Sequence, residues 1–103
     1  MSHLPSVSVV VPVFNEEKSI QACIDSLLNQ KYDAARVEII VVDNGSTDRS
    51  TKILAGFGQK LNLLHEDRRG PAAARNSGIA AATGEVIAFT DAVTGWRIAK
   101  HVT

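Results

Sequence analysis

The most constraining feature of the sequence is a run of β-branched residues near its start, Val7–Val13. Such a run, bounded by Pro5 and by Asn15-Glu16, is typical of a strand buried on both faces. Strands of this kind occur in parallel sheets that carry helices on both sides. The run is too short to span a bilayer, is interrupted by Ser8 and Pro12, and follows no basic leader. We therefore expect neither a membrane segment nor a signal peptide in this chain.

The remaining sequence alternates helical and strand patterns with connections of a few residues. The first helix is expected to run for three to four turns, with Glu16 and Glu17 at its start. Its apolar face is expected to consist of Ile20, Cys23, Ile24, Leu27 and Leu28. Thr47 and Asp48 are expected to cap the second helix. The other predicted elements are strands at Val37–Val42, Leu61–Leu64 and Glu85–Thr90, a helix through Ile53 to Phe57, and a helix from Gly70-Pro71 to Thr83-Gly84. The alternation predicts a Rossmann-like α/β domain with a mostly parallel sheet and right-handed crossovers.

The last residues break this order. Trp96, Ile98 and Val102 are too few to define an apolar face, and no turn signal leads into a clear strand. We expect an irregular or marginally helical tail there. The chain is accordingly divided into an α/β domain at residues 1–92 and an atypical C-terminal tail at residues 93–103.

Composition favours one globular domain and excludes several partners. The 103 residues are 45% hydrophobic and 21% charged, which suits a single core. Eleven basic residues balance eleven acidic ones without long blocks of either sign, so no nucleic-acid partner is indicated. Cys23 is the single cysteine, which excludes an internal disulfide and fits a cytoplasmic location. His3, His65 and His101 have no metal-ligand spacing and are assigned structural or solvent roles.

The candidate site lies where the predicted strands end. In open α/β sheets, ligands bind outside the carboxyl ends of the strands. In this sequence those ends carry four polar clusters, at Pro12–Glu16, Asp43–Asp48, Glu66–Arg75 and Asp91. Because any doubly wound domain places polar turns there, the topology alone does not decide the function.

Four segments of the sequence together resemble the signature of family 2 glycosyltransferases, which have the GT-A fold. They are Val9–Glu16 (VVVPVFNE), Val41–Asp48 (VVDNGSTD), Gly70–Ile79 (GPAAARNSGI) and Thr83–Ala92 (TGEVIAFTDA). They occur in the family's order and span about nine tenths of the chain. The resemblance implies the nucleotide-sugar-binding half of that fold, with spatial strand order 3-2-1-4 and all four clusters on one edge of the sheet.

The resemblance also implies which residues contact the nucleoside. Contacts to the base or ribose are expected from Pro12, Phe14 and Glu16, although Phe14 at a strand end could instead pack into the core. Asp43 matches the family's acidic residue that accepts a base imide or a ribose hydroxyl, although a turn-forming aspartate could instead bond its own loop. Asn44 stands where a common variant has a second aspartate, so it is included in the donor site while the identity of the base stays open.

The segment from Gly70 to Arg75 suits a diphosphate. Free amides and the dipole at a helix start favour an anion, and Arg75 can pair two oxygens at once. Arg68 and Arg69 are candidates to assist, although without the resemblance these arginines would be interpreted as a solvated loop. Gly78, inside the same helix, is expected to permit close packing rather than to touch substrate.

A departure from the family pattern concerns the metal. Family 2 enzymes normally place an Asp-x-Asp pattern after the fourth strand, where it holds Mg²⁺ or Mn²⁺. This chain has Asp91-Ala92-Val93, and valine offers no lone pair. We therefore expect the metal to be weakly bound or absent, with Asp91 left to contact the ribose or a water.

The family reaction is an inverting transfer in which a carboxylate takes the acceptor's proton. This sequence has no aspartate or glutamate after Asp91. We therefore expect a chain that is incomplete and inactive alone: a truncated or frame-altered product, an excised part of a larger enzyme, or a natural non-catalytic nucleotide-binding or assembly module. A face left uncovered in such a chain would favour self-association.

Two unrelated classes fit less well. A receiver-like signalling domain with Asp43 as the phosphorylated carboxylate would need an acidic pair after the first strand and a lysine after a fifth strand. A dinucleotide oxidoreductase would need a Gly-x-Gly-x-x-Gly sequence after the first strand, which is absent.

Overall fold

The computed structural model describes residues 4–29, 32–91 and 95–101 and shows within them a five-stranded sheet with helices on both faces. The strands are β1 (Val7–Val13), β2 (Val37–Asp43), β3 (Asn62–His65), β4 (Val86–Asp91) and β5 (Gly95–His101). The helices are α1 (Ile20–Leu28), α2 (Ser50–Ala55) and α3 (Pro71–Ala81), with short 3-10 helices at Ala34–Arg36 and Gly58–Lys60. The spatial order is β3-β2-β1-β4-β5, and the first four strands pair in parallel. The predicted order 3-2-1-4 is confirmed.

One face of the sheet carries the larger apolar core. Because side chains alternate along a strand, Val9, Val11 and Val13 of β1 point to the same face. They pack in one cluster with Ile20 and Ile24 of α1, and the same cluster includes residues of β2, β4 and α2. Burial of both faces explains why β1 reads as an almost continuous apolar run rather than an alternating one.

The opposite face is covered by α3, which approaches the sheet closely. Ile40 and Val42 of β2 pack against Ala74 of that helix. A Cβ atom added at Gly78 would lie 2.3 Å from Cγ1 of Val10, a distance that real atoms do not tolerate. The prediction that Gly78 serves close packing is therefore confirmed.

The first helix is shorter than predicted. It begins at Ile20 and has 9 residues, about two and a half turns rather than three to four. The carbonyl of Glu16 accepts hydrogen bonds from the amides of Ser19 and Ile20, at 3.1 and 2.9 Å, so a separate turn precedes the helix. Glu16 and Glu17 consequently lie in the loop before α1 and not in its first turn.

The expectation of an irregular or marginally helical tail is wrong for residues 95–101. This segment forms β5, which pairs antiparallel with β4 from Asp91↔Gly95 to Val86↔His101, with an irregularity between Ile87 and Ala88. The outer edge of β4 presents unpaired backbone amides and carbonyls, and an added strand satisfies them without needing a regular apolar pattern. Residues 92–94, 102 and 103 lie outside the description, and the division of the chain at residue 92 stays a prediction.

No helix in the described ranges combines the length and the apolar character that crossing a membrane would require.

Candidate functional site

The loops that follow β1 and β2 are joined by hydrogen bonds at the carboxyl edge of the sheet. Asn15 has a positive φ of 52°, a conformation that asparagine adopts more readily than most residues. Its backbone amide donates to Oγ of Ser46 at 3.0 Å, and its Oδ1 accepts from the amide of Thr47 at 2.8 Å. The amide of Glu16 donates to Oγ of the fully buried Ser50 at 2.8 Å. The first two polar clusters therefore form one connected layer.

Asp48 extends this layer and holds the start of α2. Its Oδ1 accepts a hydrogen bond from the amide of Ser50, two residues further on, at 2.8 Å, which is an Asx turn just before the helix. The N-cap residue of α2 is Arg49, which makes no side-chain capping hydrogen bond, so the prediction that Thr47 and Asp48 cap this helix is wrong. Its Oδ2 accepts from the amide of Glu17 at 3.2 Å. Burial raises the pKa of Asp48, but hydrogen bonds from Ser50 and Glu17 outweigh this, so the pKa lies below its usual value.

The carboxylate of Asp43 bonds within its own loop and to neighbouring elements. The residue is only 3% exposed. Its Oδ1 accepts from the amide of Ser46 at 3.1 Å, and its Oδ2 accepts from the hydroxyl of Thr51 at 2.7 Å. Nδ1 of His65 lies 3.6 Å from the same Oδ2. The alternative interpretation of Asp43, as a turn-forming aspartate, thus describes its contacts in this structure.

Asn44 is similarly buried, and its side chain bridges to the loop between β3 and α3. Its Nδ2 donates to the carbonyls of Glu66 and Arg68, at 2.8 and 2.7 Å. Its Oδ1 accepts from the amide of Gly70 at 3.0 Å. Its own backbone amide donates to the carbonyl of Val13 at 2.8 Å. Asn44 thereby connects the ends of β1 and β2 to the start of α3.

A carboxylate within this loop fixes one of the three candidate arginines. Oε1 and Oε2 of Glu66 accept from Nη2 and Nε of Arg68, at 3.0 and 3.2 Å, and Oε1 also accepts from the hydroxyl of Ser77. The side-chain hydrogen bond from Arg68, followed by that from Ser77, lowers the pKa of Glu66 to about 2. The same pair raises the pKa of Arg68. Arg68 is therefore paired with Glu66 in this structure.

The aromatic ring at the end of β1 is accessible. Phe14 is 41% exposed, so the alternative of core packing does not hold for it in this structure. The guanidinium of Arg69 lies over the ring at 4.9 Å from its centroid, a cation–π distance. Pro12 is half-buried within β1, and Oε2 of Glu16 accepts from the hydroxyl of Ser19 at 3.3 Å.

Arg75 differs from the other two arginines. It is exposed on the second turn of α3, the helix whose start is bonded to Asn44. Its side chain has no hydrogen bond or ion pair with the residues that the structure describes. The backbone of Asp91 ends β4, which runs parallel to β1, so Asp91 reaches the same edge as Pro12. The structure thus brings the backbone positions of all seven predicted site residues to one edge.

The residues present do not match the metal site of the family pattern. A divalent ion of this class needs several oxygen ligands. Within the described part of the chain, no group of three or more histidine, cysteine, aspartate or glutamate residues is arranged to hold one. In the sequence, Val93 stands at the position where the family pattern has its second aspartate.

Sequence reasoning missed the residues that hold the edge together. Asn15, Ser50 and Glu66 make the contacts that join the loops, yet none of them was singled out for this. For Asn15, the signal was the tolerance of asparagine for positive φ in turns. For Ser50 and Glu66, the partners are 34 and 11 residues away along the chain, and no local pattern indicates them.

A parallel sheet with loop amides, a helix start and an exposed arginine at its carboxyl edge defines a Rossmann-like, ligand-binding α/β domain. The family model described as glycosyl transferase family 2 matches residues 8–92. The chain belongs to this family. Its four parallel strands and flanking helices have the GT-A arrangement of its structural neighbours.

Individual relatives agree with this assignment. Glycosyltransferase AglE of Haloferax volcanii is 39% identical over 94 residues, which cover 87% of this chain and 31% of AglE. The mannosyltransferase PcManGT from Pyrobaculum calidifontis, solved with GDP-Man and Mn²⁺, superposes with a TM-score of 0.80 at 36% identity over 88% of this chain and 28% of its own. S. aureus TarS 1-349, solved with UDP-GlcNAc, superposes with a TM-score of 0.75 at 35% identity. The match covers 84% of this chain and 26% of the TarS chain. The chain thus spans less than a third of the length of each.

Proposed function

We propose that the carboxyl edge of this domain binds the nucleoside diphosphate of a sugar donor used for inverting glycosyl transfer. The observation that carries the proposal is the meeting of an exposed ring, a helix start and an arginine that has no ion pair with any residue the structure describes, at one edge of a family 2 fold. Two structural neighbours were solved with GDP-Man or UDP-GlcNAc, which are donors of this chemical class.

The nucleoside would lie at the end of β1. Arg69 lies over one face of the Phe14 ring, and the remaining exposed surface of the ring is available for a base to stack on. Pro12 and Glu16 flank the ring along the chain and would contact the base or the ribose. Asp91 would reach the ribose from the neighbouring strand.

The diphosphate would lie at the start of α3. Proline at the first position has no amide hydrogen, and the first amide of this helix start that donates to a carbonyl is that of Ala74, to Gly70. The amides of Ala72 and Ala73 have no intrahelical acceptor, so they are free for an anion. Arg75, one turn further along, can pair two phosphate oxygens. Asp43 and Asn44 complete the proposed donor site by fixing the two loops between which the donor would lie.

We further propose that this 103-residue chain binds its donor without transferring the sugar. Transfer needs a base to take the acceptor's proton, and the sequence contains no carboxylate after Asp91. A non-catalytic nucleotide-binding or assembly module is the alternative, and it has the same binding edge.

Calorimetric titration with UDP and with GDP, each with and without Mn²⁺, tests both parts of the proposal. We expect dissociation constants in the range of about 10 μM to 1 mM, because few contacts are available. The metal should add little, since Val93 cannot coordinate it. Val93→Asp should strengthen Mn²⁺-dependent binding, yet a donor-hydrolysis and transfer assay should still detect no turnover. If neither nucleotide binds, the proposed binding site is contradicted. Mn²⁺-dependent turnover by the unaltered chain would contradict the proposal that it does not transfer the sugar.

Two accompanying proposals are independent of the site. The single cysteine, Cys23, supports a cytoplasmic location. Self-association is supported by β3, an edge strand of the described sheet whose outer side has no paired strand. Sedimentation over a wide concentration range tests it, and a monomer at all concentrations would exclude it.

A further inference from the structure

The hydrogen-bonding groups of the Asn44 side chain complement those of the adjacent loop. The loop between β3 and α3 directs two carbonyls and one amide toward β2, from Glu66, Arg68 and Gly70. A primary amide is a side chain that offers two N–H donors and one carbonyl acceptor together. All three hydrogen bonds are between 2.7 and 3.0 Å, and Asn44 is 7% exposed. A carboxylate in this place would direct oxygen at two carbonyl oxygens.

The hydrogen bonds of Asn44 also limit what else it can do. Both of its side-chain N–H groups are engaged by carbonyls, so neither is available to donate to a base. Contact with a ligand through these hydrogens would release the loop at two points, because the carbonyls of Glu66 and Arg68 would each lose their side-chain donor.

The loop that Asn44 holds adjoins two groups assigned to the donor, the ring of Phe14 and the start of α3. Arg69 lies over the ring of Phe14, and Gly70 begins α3 with a φ of 111°. Between Glu66 and Gly70, Asn44 binds the first, third and last residues, so the path of the loop is fixed along its whole length.

We propose that Asn44 is a positioning residue of the donor site: it holds the β3–α3 loop in place and does not itself recognise the base. This inference rests on the proposed function, because positioning has a measurable effect on affinity only if nucleotide binds at this edge. It also predicts that base selectivity comes from groups other than the side chain of residue 44.

Asn44→Asp is the direct test. The substitution retains the acceptor for Gly70 but replaces both donors with oxygen. At pH 7.5 we expect the affinities for UDP and for GDP to fall by about tenfold, and by the same factor for each nucleotide, since the loop and not the base contact is altered. A loss confined to one nucleotide would overturn the inference, because it would show direct recognition of the base.

A pH series provides a readout that loss of stability alone would not produce. Burial and the two facing carbonyls disfavour a charged carboxylate at position 44 and should raise its pKa. Protonation restores one O–H donor, so the ratio of variant to wild-type affinity should rise toward one as the pH falls from 7.5 to about 5. The ionisable groups around this position are the same in both proteins and largely cancel in the ratio: Asp43, His65, Glu66 and Arg68. A ratio that stays constant with pH would contradict the inference.

Ser8→Ala is the matched control. Ser8 is fully buried at the opposite edge of the sheet, where its hydroxyl donates to Glu38 and accepts from the amide of Gly84, so its removal lowers stability without touching the loop. At equal folded fraction it should bind nucleotide like the wild type. An equal loss of affinity in Ser8→Ala would assign the effect of Asn44→Asp to general destabilisation and overturn the inference.

If Asn44→Asp does not fold, Asn44→Ser, which retains one donor, takes its place. We expect its affinity loss to be several-fold and again equal for the two nucleotides. Wild-type affinity in that variant would overturn the inference while leaving the proposed function intact. Absence of nucleotide binding by the wild-type chain would overturn both, so the two failures are distinguishable.

Discussion

The two edges of the sheet use similar polar chemistry but leave different groups accessible. At the amino edge, Glu38 accepts hydrogen bonds from the hydroxyl of Ser8 and from the amide and hydroxyl of Thr83, at 2.7, 3.0 and 2.8 Å. The amide of Gly84 donates to Oγ of Ser8 at 2.8 Å. At the carboxyl edge, Asp43, Asn44 and Glu66 form networks of comparable density. Dense hydrogen bonding alone therefore does not mark the functional edge.

The difference lies in what remains beside each network. At the carboxyl edge, Phe14 is exposed and Arg75 has no ion pair with any described residue, and the start of α3 offers free amides. At the amino edge, the bond network instead joins β1, β2 and the turn into β4. We interpret the amino edge as structural and the carboxyl edge as a scaffold that holds ligand-binding groups in place.

The largest expected effect is at the amino edge. A Cβ atom at Gly84 would lie 2.6 Å from the backbone nitrogen of Ser8 and 2.9 Å from the backbone carbon of Val7, so one strand would have to move. Gly84→Ala should lower the free energy of unfolding by about 2–3 kcal/mol in chemical denaturation, while the folded fraction retains wild-type nucleotide affinity.

Gly56→Ala is the control for this substitution. Gly56 has an ordinary helical φ of −65°, and an added Cβ would meet only carbonyls of the preceding turn. We expect no loss of stability from it. Equal stability of Gly84→Ala and wild type would show that the amino edge is not tightly closed.

The second largest effect is expected at the carboxyl edge, where a substitution should change nucleotide affinity and leave stability nearly unchanged. Arg75→Ala should weaken binding of UDP and GDP by about tenfold, because a bidentate contact to phosphate is lost. Its free energy of unfolding should change by less than about 0.5 kcal/mol, since the side chain is exposed. Lys52→Ala, which removes an equal charge from α2, is the control and should leave calorimetric affinity unchanged. Equal losses in both variants would indicate a general charge effect.

The smallest effect is a dependence of stability on pH. Burial raises the pKa of Glu38, but hydrogen bonds from Ser8 and Thr83 outweigh this, so its pKa lies below the reference of 4.5. A carboxylate whose pKa is lowered by folding stabilises the protein above its unfolded pKa, and the contribution is lost as the pH falls through the folded pKa. Glu38→Gln should therefore flatten the decline of the unfolding free energy below about pH 4.5.

Glu66→Gln, at the other edge, extends that comparison. The pKa of Glu66 is about 2 in the folded protein, so its contribution to the free energy of unfolding should disappear over a wider pH interval, between pH 4.5 and pH 2. Urea unfolding measured between pH 6 and pH 2.5 would separate the two variants. If neither substitution changes the slope of the unfolding free energy against pH, the hydrogen bonds assigned to Glu38 and Glu66 are contradicted.

The sequence predicted the sheet order and its carboxyl-edge clusters because those depend on local patterns and on the family resemblance. Val7–Val13 could be recognised as a buried strand from its composition alone. β5 could not be, because it is placed by backbone pairing with β4 rather than by an apolar pattern of its own. The contacts of Asn44 could not be predicted from the sequence either. Its three partners lie 22 to 26 residues further along the chain, and the sequence does not show which groups the loop directs toward it.

Backbone chemical-shift mapping of the ¹⁵N-labelled chain titrated with UDP tests the central claim most directly, because it locates the ligand on one edge or the other. The account predicts shifts that concentrate at Phe14, at Asp43-Asn44 and from Arg69 to Arg75, with little change at Ser8 and at Thr83-Gly84. Shifts concentrated at the amino edge, or no saturable shifts at millimolar UDP, would contradict it.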